Sequence, residues 1–157
     1  IGQKWPTPAP GRQIMTNGWS TMGFGIPSAI AAKLCRPDVS VCTVVGDGGF
    51  LMSAGELATA VRLNLPFVTV VLTDNDLALI RIKQEKKQNP VYGTPIRQSG
   101  TIGGDNIFGV PVLSADDADE FRAALEKAFA TNGPVIVEAR ISSQEYDDLV
   151  LKKDKPG

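Results

Sequence analysis

The chain has 157 residues, enough for one domain with a substantial core and too few for two large ones. Its charge is balanced, with 16 Lys and Arg against 17 Asp and Glu, so nothing electrostatic points to nucleic acid or an anionic membrane as partner. Histidine is absent, which excludes Ser-His-Asp, Cys-His and His-ligated metal chemistry from this chain, and two cysteines, Cys35 and Cys42, are too few for a disulfide scaffold.

Residues 1–13 hold prolines without periodicity and read as a linker. A helix is expected over residues 26–34, with Pro27 in its first turn. Residues 39–45 form a short β-branched run, the pattern of a buried strand, ending at Gly46-Asp47-Gly48-Gly49. Ser53 and Glu56 fit a capping box ahead of a helix carrying Leu57, Ala60, Val61 and Leu65. Pro66 ends that helix, and residues 67–72 make a second buried strand before the turn Thr73-Asp74-Asn75-Asp76. That strand is also the longest apolar run, far short of the roughly 18 residues a membrane span needs. Residues 77–89 read as a helix that becomes charged, and residues 90–104 as irregular. Ser114 is placed to cap a last helix over 116–130, with Phe121, Leu125, Ala128 and Phe129 on one stripe. A strand over 135–139 follows, then a polar tail from 142 to 157. Cys35 and Cys42 lie beside apolar stretches and read as reduced packing residues. No internal repeat is apparent.

Strands alternating with helices imply a mostly parallel sheet covered on both faces, a three-layer α/β/α sandwich. Ligands of such sheets bind at the carboxyl ends of the strands, where the acidic turns 46–49 and 73–76 both fall. Glycines after a buried strand let backbone N–H groups approach an anion closely. Asp47 in that loop would repel a bare phosphate, and makes sense where a hard divalent cation lies between carboxylate and phosphate. Taken alone, Gly-Asp-Gly fits a plain turn better. It is neither a dinucleotide fingerprint, since Leu51 replaces the last glycine, nor a Walker loop. Asp74 follows Asp47 by 27 positions, one helix plus one strand, which brings two carboxylates to one sheet edge.

This two-part pattern resembles the signature of thiamine-diphosphate-dependent enzymes, in their C-terminal, diphosphate-binding domain. The resemblance covers roughly residues 12–140 and runs closest to acetolactate synthases, through Arg12-Gln13-Ile14-Met15-Thr16-Asn17-Gly18, Thr21-Met22-Gly23-Phe24-Gly25-Ile26-Pro27, the stretch from Phe50 to Arg62, and residues 82–87. It implies that Asp47, Asp74 and the carbonyl of Asp76 hold Mg²⁺, which anchors the diphosphate of thiamine diphosphate. Asp74 stands where the family usually has Asn, and in this it resembles the catabolic acetolactate synthases. By the same resemblance Ser20 and Met22 contact the pyrimidine edge, with Met22 beneath the bent cofactor. Gly48 and Gly49 flank the diphosphate, and Leu79 and Ile80, with Leu77 before them, face the reaction centre.

The resemblance further implies an enzyme, a transferase or lyase, that decarboxylates and ligates 2-oxo acids, turning pyruvate into acetolactate and CO₂. The alternatives are a 2-oxo acid decarboxylase of the benzoylformate or sulfopyruvate type, and a degenerate cofactor domain without catalysis. No catalytic residue is expected in this chain. The family's glutamate lies in a pyrimidine-binding domain of the same or a second chain, and Glu56 does not match it. The chain thus reads as one domain, residues 1–157, of a longer multidomain enzyme, inactive in isolation, working as a cytoplasmic homodimer or homotetramer with neither nucleic acid nor membrane as partner.

Overall fold

A computed structural model describes residues 5–16, 18–96, 102, 104–143 and 146. Five strands form one sheet in the order β1-β2-β5-β4-β3: β1 (Cys42–Gly46), β2 (Val68–Thr73), β3 (Asn106–Ile107), β4 (Val110–Ala115) and β5 (Val135–Arg140). The pairs β1–β2, β2–β5 and β4–β5 are parallel, and β3 lies antiparallel to β4. Helices α1 (Gly25–Cys35), α2 (Asp47–Ser53), α3 (Leu57–Arg62), α4 (Ala78–Lys86) and α5 (Ala118–Ala130) are the α-helices among the described residues.

The two faces of the sheet carry separate cores, as a parallel sheet requires. On one, Val71 and Ile136 meet Ile26, Ala29 and Ile30 of α1, Phe50 of α2, and Leu57 and Ala60 of α3. On the other, Val68, Val70, Val135 and Val137 meet Ala124 and Ala128 of α5, with Phe121 and Leu125 at the border. β2 is buried along almost all of its length because it has a strand on each side and helices on both faces. β1 is an edge strand and alternates, leaving Val44 39% exposed. The three-layer α/β/α arrangement expected from the sequence is therefore present. No helix among the described residues is long and apolar enough to cross a membrane.

Local differences from the sequence expectations have local causes. The helix after β1 begins at Asp47 itself, so Ser53 falls at the end of α2 and cannot cap; its hydroxyl is buried without a partner among the described residues. A 3₁₀ turn, Ala54–Glu56, then bridges α2 to α3 in place of the expected capping box. Ser114, expected to cap the last helix, lies instead in β4, a strand not expected from the sequence, and donates to the buried carboxylate of Glu138 at 3.3 Å. Glu138 also accepts the N–H of Ile102 at 2.9 Å, so its two oxygens are both occupied. Cys35 and Cys42 are free and exposed rather than packed in the core. Lys33, in the last turn of α1, turns inward and donates to the carbonyls of Pro37 (2.9 Å) and Val39 (2.7 Å), steering the chain into β1.

The cap of α5 is Asp117, whose Oδ1 accepts the N–H groups of Asp119 and Glu120, both at 2.9 Å. Glu120 reaches back to the N–H of Asp116 at 2.8 Å. Asp117→Ala leaves two helix N–H groups to water and is expected to lower stability by about 1 kcal/mol in urea denaturation, the usual scale for a lost N-cap. An unchanged midpoint would show that Glu120 and solvent suffice.

Candidate functional site

β1 and β2 are neighbours in parallel register, with Gly46 paired to Leu72, so the turns that follow them meet at one edge of the sheet. Asp47, the first residue of α2, is only 4% exposed. Its Oδ1 accepts the N–H of Gly48 and its Oδ2 the N–H of Asn75, each at 2.8 Å. The second bond ties the loop after β1 to the turn after β2, across 28 residues of chain. Asn75 holds a left-handed conformation (φ 60°), which its short polar side chain tolerates better than most. Asp74 Oδ1 accepts the N–H of Asp76 at 3.2 Å, closing the turn on itself.

Asp74 Oδ2 is buried with no partner at hydrogen-bonding distance among the described residues. Burial, and then the charges of Asp47 and Asp76, push the Asp74 carboxyl above the usual carboxylate range, against the pull of the Asp76 N–H and the nearby Tyr146 hydroxyl. The phenol of Tyr146 is in turn pushed up to about 12 by its own burial and by the Asp74 carboxylate. Asp76 has a cationic partner: its Oδ2 accepts from Arg81 Nε at 2.6 Å, and Arg81 also reaches Glu85 (3.2 Å) and Ser143 (3.0 Å). The outcome is one neutralised acid beside two facing ones.

That arrangement fits a divalent cation. Two adjacent carboxylates, one with an orphaned buried oxygen, repel each other until a cation sits between them, and ionised carboxylates keep lone pairs beyond those already bonded to N–H groups. Among the described residues no group of three or more His, Cys, Asp or Glu side chains could hold a metal by itself. Further oxygens therefore have to come from main chain, water or a ligand. Asp74→Asn keeps a ligand oxygen and removes one negative charge. It is expected to stabilise the metal-free protein by about 0.5 kcal/mol, the scale of a partly solvent-screened pair, and to raise the Tm measured in chelator. A lower Tm would mean that the Asp74 charge is already compensated in the metal-free state.

Of the glycines beside Asp47, Gly48 is the crowded one. A Cβ on Gly48 would lie 2.7 Å from Leu77 Cδ2, 3.1 Å from Met22 Cε and 3.4 Å from Ile96 Cδ1. A Cβ on Gly49 would lie 3.7 Å from Gly23 N, an ordinary contact, whereas a Cβ on Gly23 (φ 79°) would lie 3.1 Å from Met52 Cβ. Thus the loop ahead of α1, carrying Ser20 (φ 50°) and Met22, packs onto the start of α2. The structure brings together Met22, Asp47, Gly48, Gly49, Asp74 and Asp76. Ser20 lies exposed at the same loop, and Leu79 and Ile80 stand half-exposed in the first turn of α4, 47% and 45%. Ile96, Arg81 and Tyr146 join the site without having been marked in the sequence. Ile96 and Tyr146 arrive from distant stretches of chain, and Arg81 is one charge among several in α4, so no local motif flags them.

Residues 2–139 match the family described as "Thiamine pyrophosphate enzyme, C-terminal TPP binding domain". The chain is 34% identical over 142 residues to an acetolactate synthase of Bacillus subtilis (strain 168), covering 90% of this chain and 25% of that protein. It is 35% identical over 127 residues to a catabolic acetolactate synthase of Raoultella terrigena, covering 80% of this chain and 23% of that protein. A solved structure described as a thiamine diphosphate-dependent 4-hydroxybenzoylformate decarboxylase of Rhodococcus jostii RHA1 superposes with a TM-score of 0.70. At 24% identity it covers 77% of this chain and 23% of its own, and so speaks for the fold. The chain spans about a quarter of the length of these relatives. With the match running from residue 2 to residue 139, the chain belongs to the thiamine pyrophosphate enzyme family, in its C-terminal TPP binding domain.

Proposed function

We propose that this chain binds the diphosphate of thiamine diphosphate through Mg²⁺, held by the carboxylates of Asp47 and Asp74 and the carbonyl of Asp76. The observation that carries the reading is the meeting of Asp47 and Asp74 at the ends of neighbouring parallel strands, with Asp74 Oδ2 buried and unpartnered among the described residues. The remaining oxygens around a six-coordinate cation come from diphosphate and water. When bound, the cofactor supplies the electron sink for carbanion chemistry at a 2-oxo acid. The chain's part is to hold and orient. Asp47 fixes both loops relative to each other, Arg81 neutralises the Asp76 side chain so that its carbonyl is what remains for the metal, and Met22 supports the ring portion beside Gly48.

The whole enzyme, on this reading, takes pyruvate to acetolactate and CO₂, with a pyrimidine-binding domain of the same or a second chain supplying the glutamate that this chain lacks. Trp19 (96% exposed), Met22, Phe24, Leu51 and Met52 offer apolar surface around the cofactor loop, suited to such a partner. The test is calorimetric titration of the complete protein with thiamine diphosphate, in Mg²⁺ and in chelator, followed by product analysis with pyruvate. Binding only with the metal, and acetolactate as product, is expected. Acetaldehyde alone would move the assignment to a simple decarboxylase. Complete protein that ignores thiamine diphosphate in Mg²⁺ would leave a cofactor-domain fold without the function.

A further inference from the structure

After α4 the chain returns to the turn that carries Asp74. Pro95 forms an antiparallel bridge with Asp76. Leu77 N–H donates to the Thr94 carbonyl and Ile96 N–H to the Asn75 carbonyl, both at 2.8 Å. The two bonds flank Pro95, so its missing N–H costs the bridge nothing. Thr94 is 1% exposed, which seats residues 94–96 as a strap against the turn rather than as a free loop. The strap determines where Ile96 goes. Its Cδ1 reaches the space above Gly48, where Met22 Cε and Leu77 Cδ2 also end. Three apolar side chains from three separate stretches of chain thus converge on one glycine, directly beside the Asp47 carboxylate. One half of the site is anionic and the other is hydrocarbon.

We propose that Ile96, held by the 94–96 strap, is a positioning residue that with Leu77 and Met22 forms the apolar seat for the ring portion of the cofactor, separate from the carboxylates that hold its diphosphate. The inference rests on the thiamine diphosphate reading above. The strap is bonded to the turn carrying Asp74 on both sides of Asp76, through backbone groups that do not involve the Ile96 side chain. A ligand with the diphosphate alone uses the first half only, while thiamine diphosphate uses both.

The experiment compares two ligands in the complete protein at saturating Mg²⁺: thiamine diphosphate and inorganic diphosphate. Ile96→Ala is expected to weaken thiamine diphosphate about tenfold, equivalent to about 1.4 kcal/mol, while inorganic diphosphate stays within about twofold. Ile96→Val, which keeps a branched apolar contact, is expected to recover most of the loss. Inorganic diphosphate also reports that the variant's metal turn is intact. Equal weakening of both ligands would overturn the proposal, since Ile96 would then only brace the metal turn. An unchanged thiamine diphosphate affinity would overturn it as well. Wild-type protein that binds inorganic diphosphate but not thiamine diphosphate would instead sink the functional reading, and the ring seat with it.

Discussion

Asp47→Ala is expected to abolish metal-dependent cofactor binding and to weaken the fold in the same step. The carboxylate does two jobs that cannot be separated by position. Its two oxygens accept the N–H groups of Gly48 and Asn75, and the substitution orphans both in a place where Asp47 itself is 4% exposed. A buried donor left without a partner costs about 1–3 kcal/mol, and the Asn75 bond is the one that holds the two turns together. On the proposed Mg²⁺ role, loss of the charge also removes a metal ligand, which alone is expected to lower affinity more than tenfold, or about 1.4 kcal/mol. Asp47→Asn separates the two effects: it keeps one acceptor and loses the charge. The expected order in urea denaturation without metal is wild type, then Asn, then Ala. In titration with thiamine diphosphate and Mg²⁺ both variants are expected to fail. An Asn variant that binds like wild type would show that the charge at residue 47 is not a metal ligand.

Much of the architecture could be read from residue patterns because it depends on local sequence. β2 is β-branched at five of six positions and β5 opens with Val135-Ile136-Val137, the mark of strands buried on both faces. The apolar spacing of α1 and α5 was equally direct. β4 escaped because Pro111 and Ser114 interrupt it, and both are explained only by neighbours. Pro111 sits opposite Asn106 of β3, outside the stretch from Val112 to Ala115 that pairs with β5. Ser114 is held by Glu138 from the adjacent strand. Neither reason is visible without knowing which strands adjoin. The capping box failed differently: Ser53 and Glu56 have the right spacing, yet the preceding glycines already belong to a helix.

The same division runs through the site. Asp47 and Asp74 were legible because one helix plus one strand returns a parallel chain to the same edge, so spacing translates directly into adjacency. Gly48 was legible as a glycine but not for its reason, which is the crowd of Leu77, Met22 and Ile96 around it. Ile96 lies beyond α4 in a stretch rich in Pro and Gly, and only the strap pairing brings it back. Arg81 was hidden among the charges of a stretch, residues 77–89, that reads only as a helix becoming charged. The structure ties it to Asp76 and Ser143.

Phe50→Ala is the largest stability loss expected in the chain. Phe50 is 1% exposed and sits one turn beyond Asp47, in the core with Ile26, Leu57, Val71 and Ile136. Truncating a fully buried Phe costs about 3–5 kcal/mol, through lost transfer energy and the cavity left behind. A domain of this size has roughly 5–15 kcal/mol in all, so the variant is left marginal. Urea denaturation measures this directly, with Phe50→Leu as a milder comparator expected to lose less than half as much. The consequence for the site follows from the chain itself. Phe50 is the apolar end of the segment whose other end is Asp47, with Gly48 and Gly49 between them contributing no side chain of their own to the core. While folded, the Leu variant is expected to keep its metal-dependent affinity for thiamine diphosphate within about twofold, because the Gly48 and Asn75 bonds to Asp47 remain. A Leu variant that folds but no longer binds would mean that the aromatic ring, rather than those two hydrogen bonds, sets the position of the carboxylate.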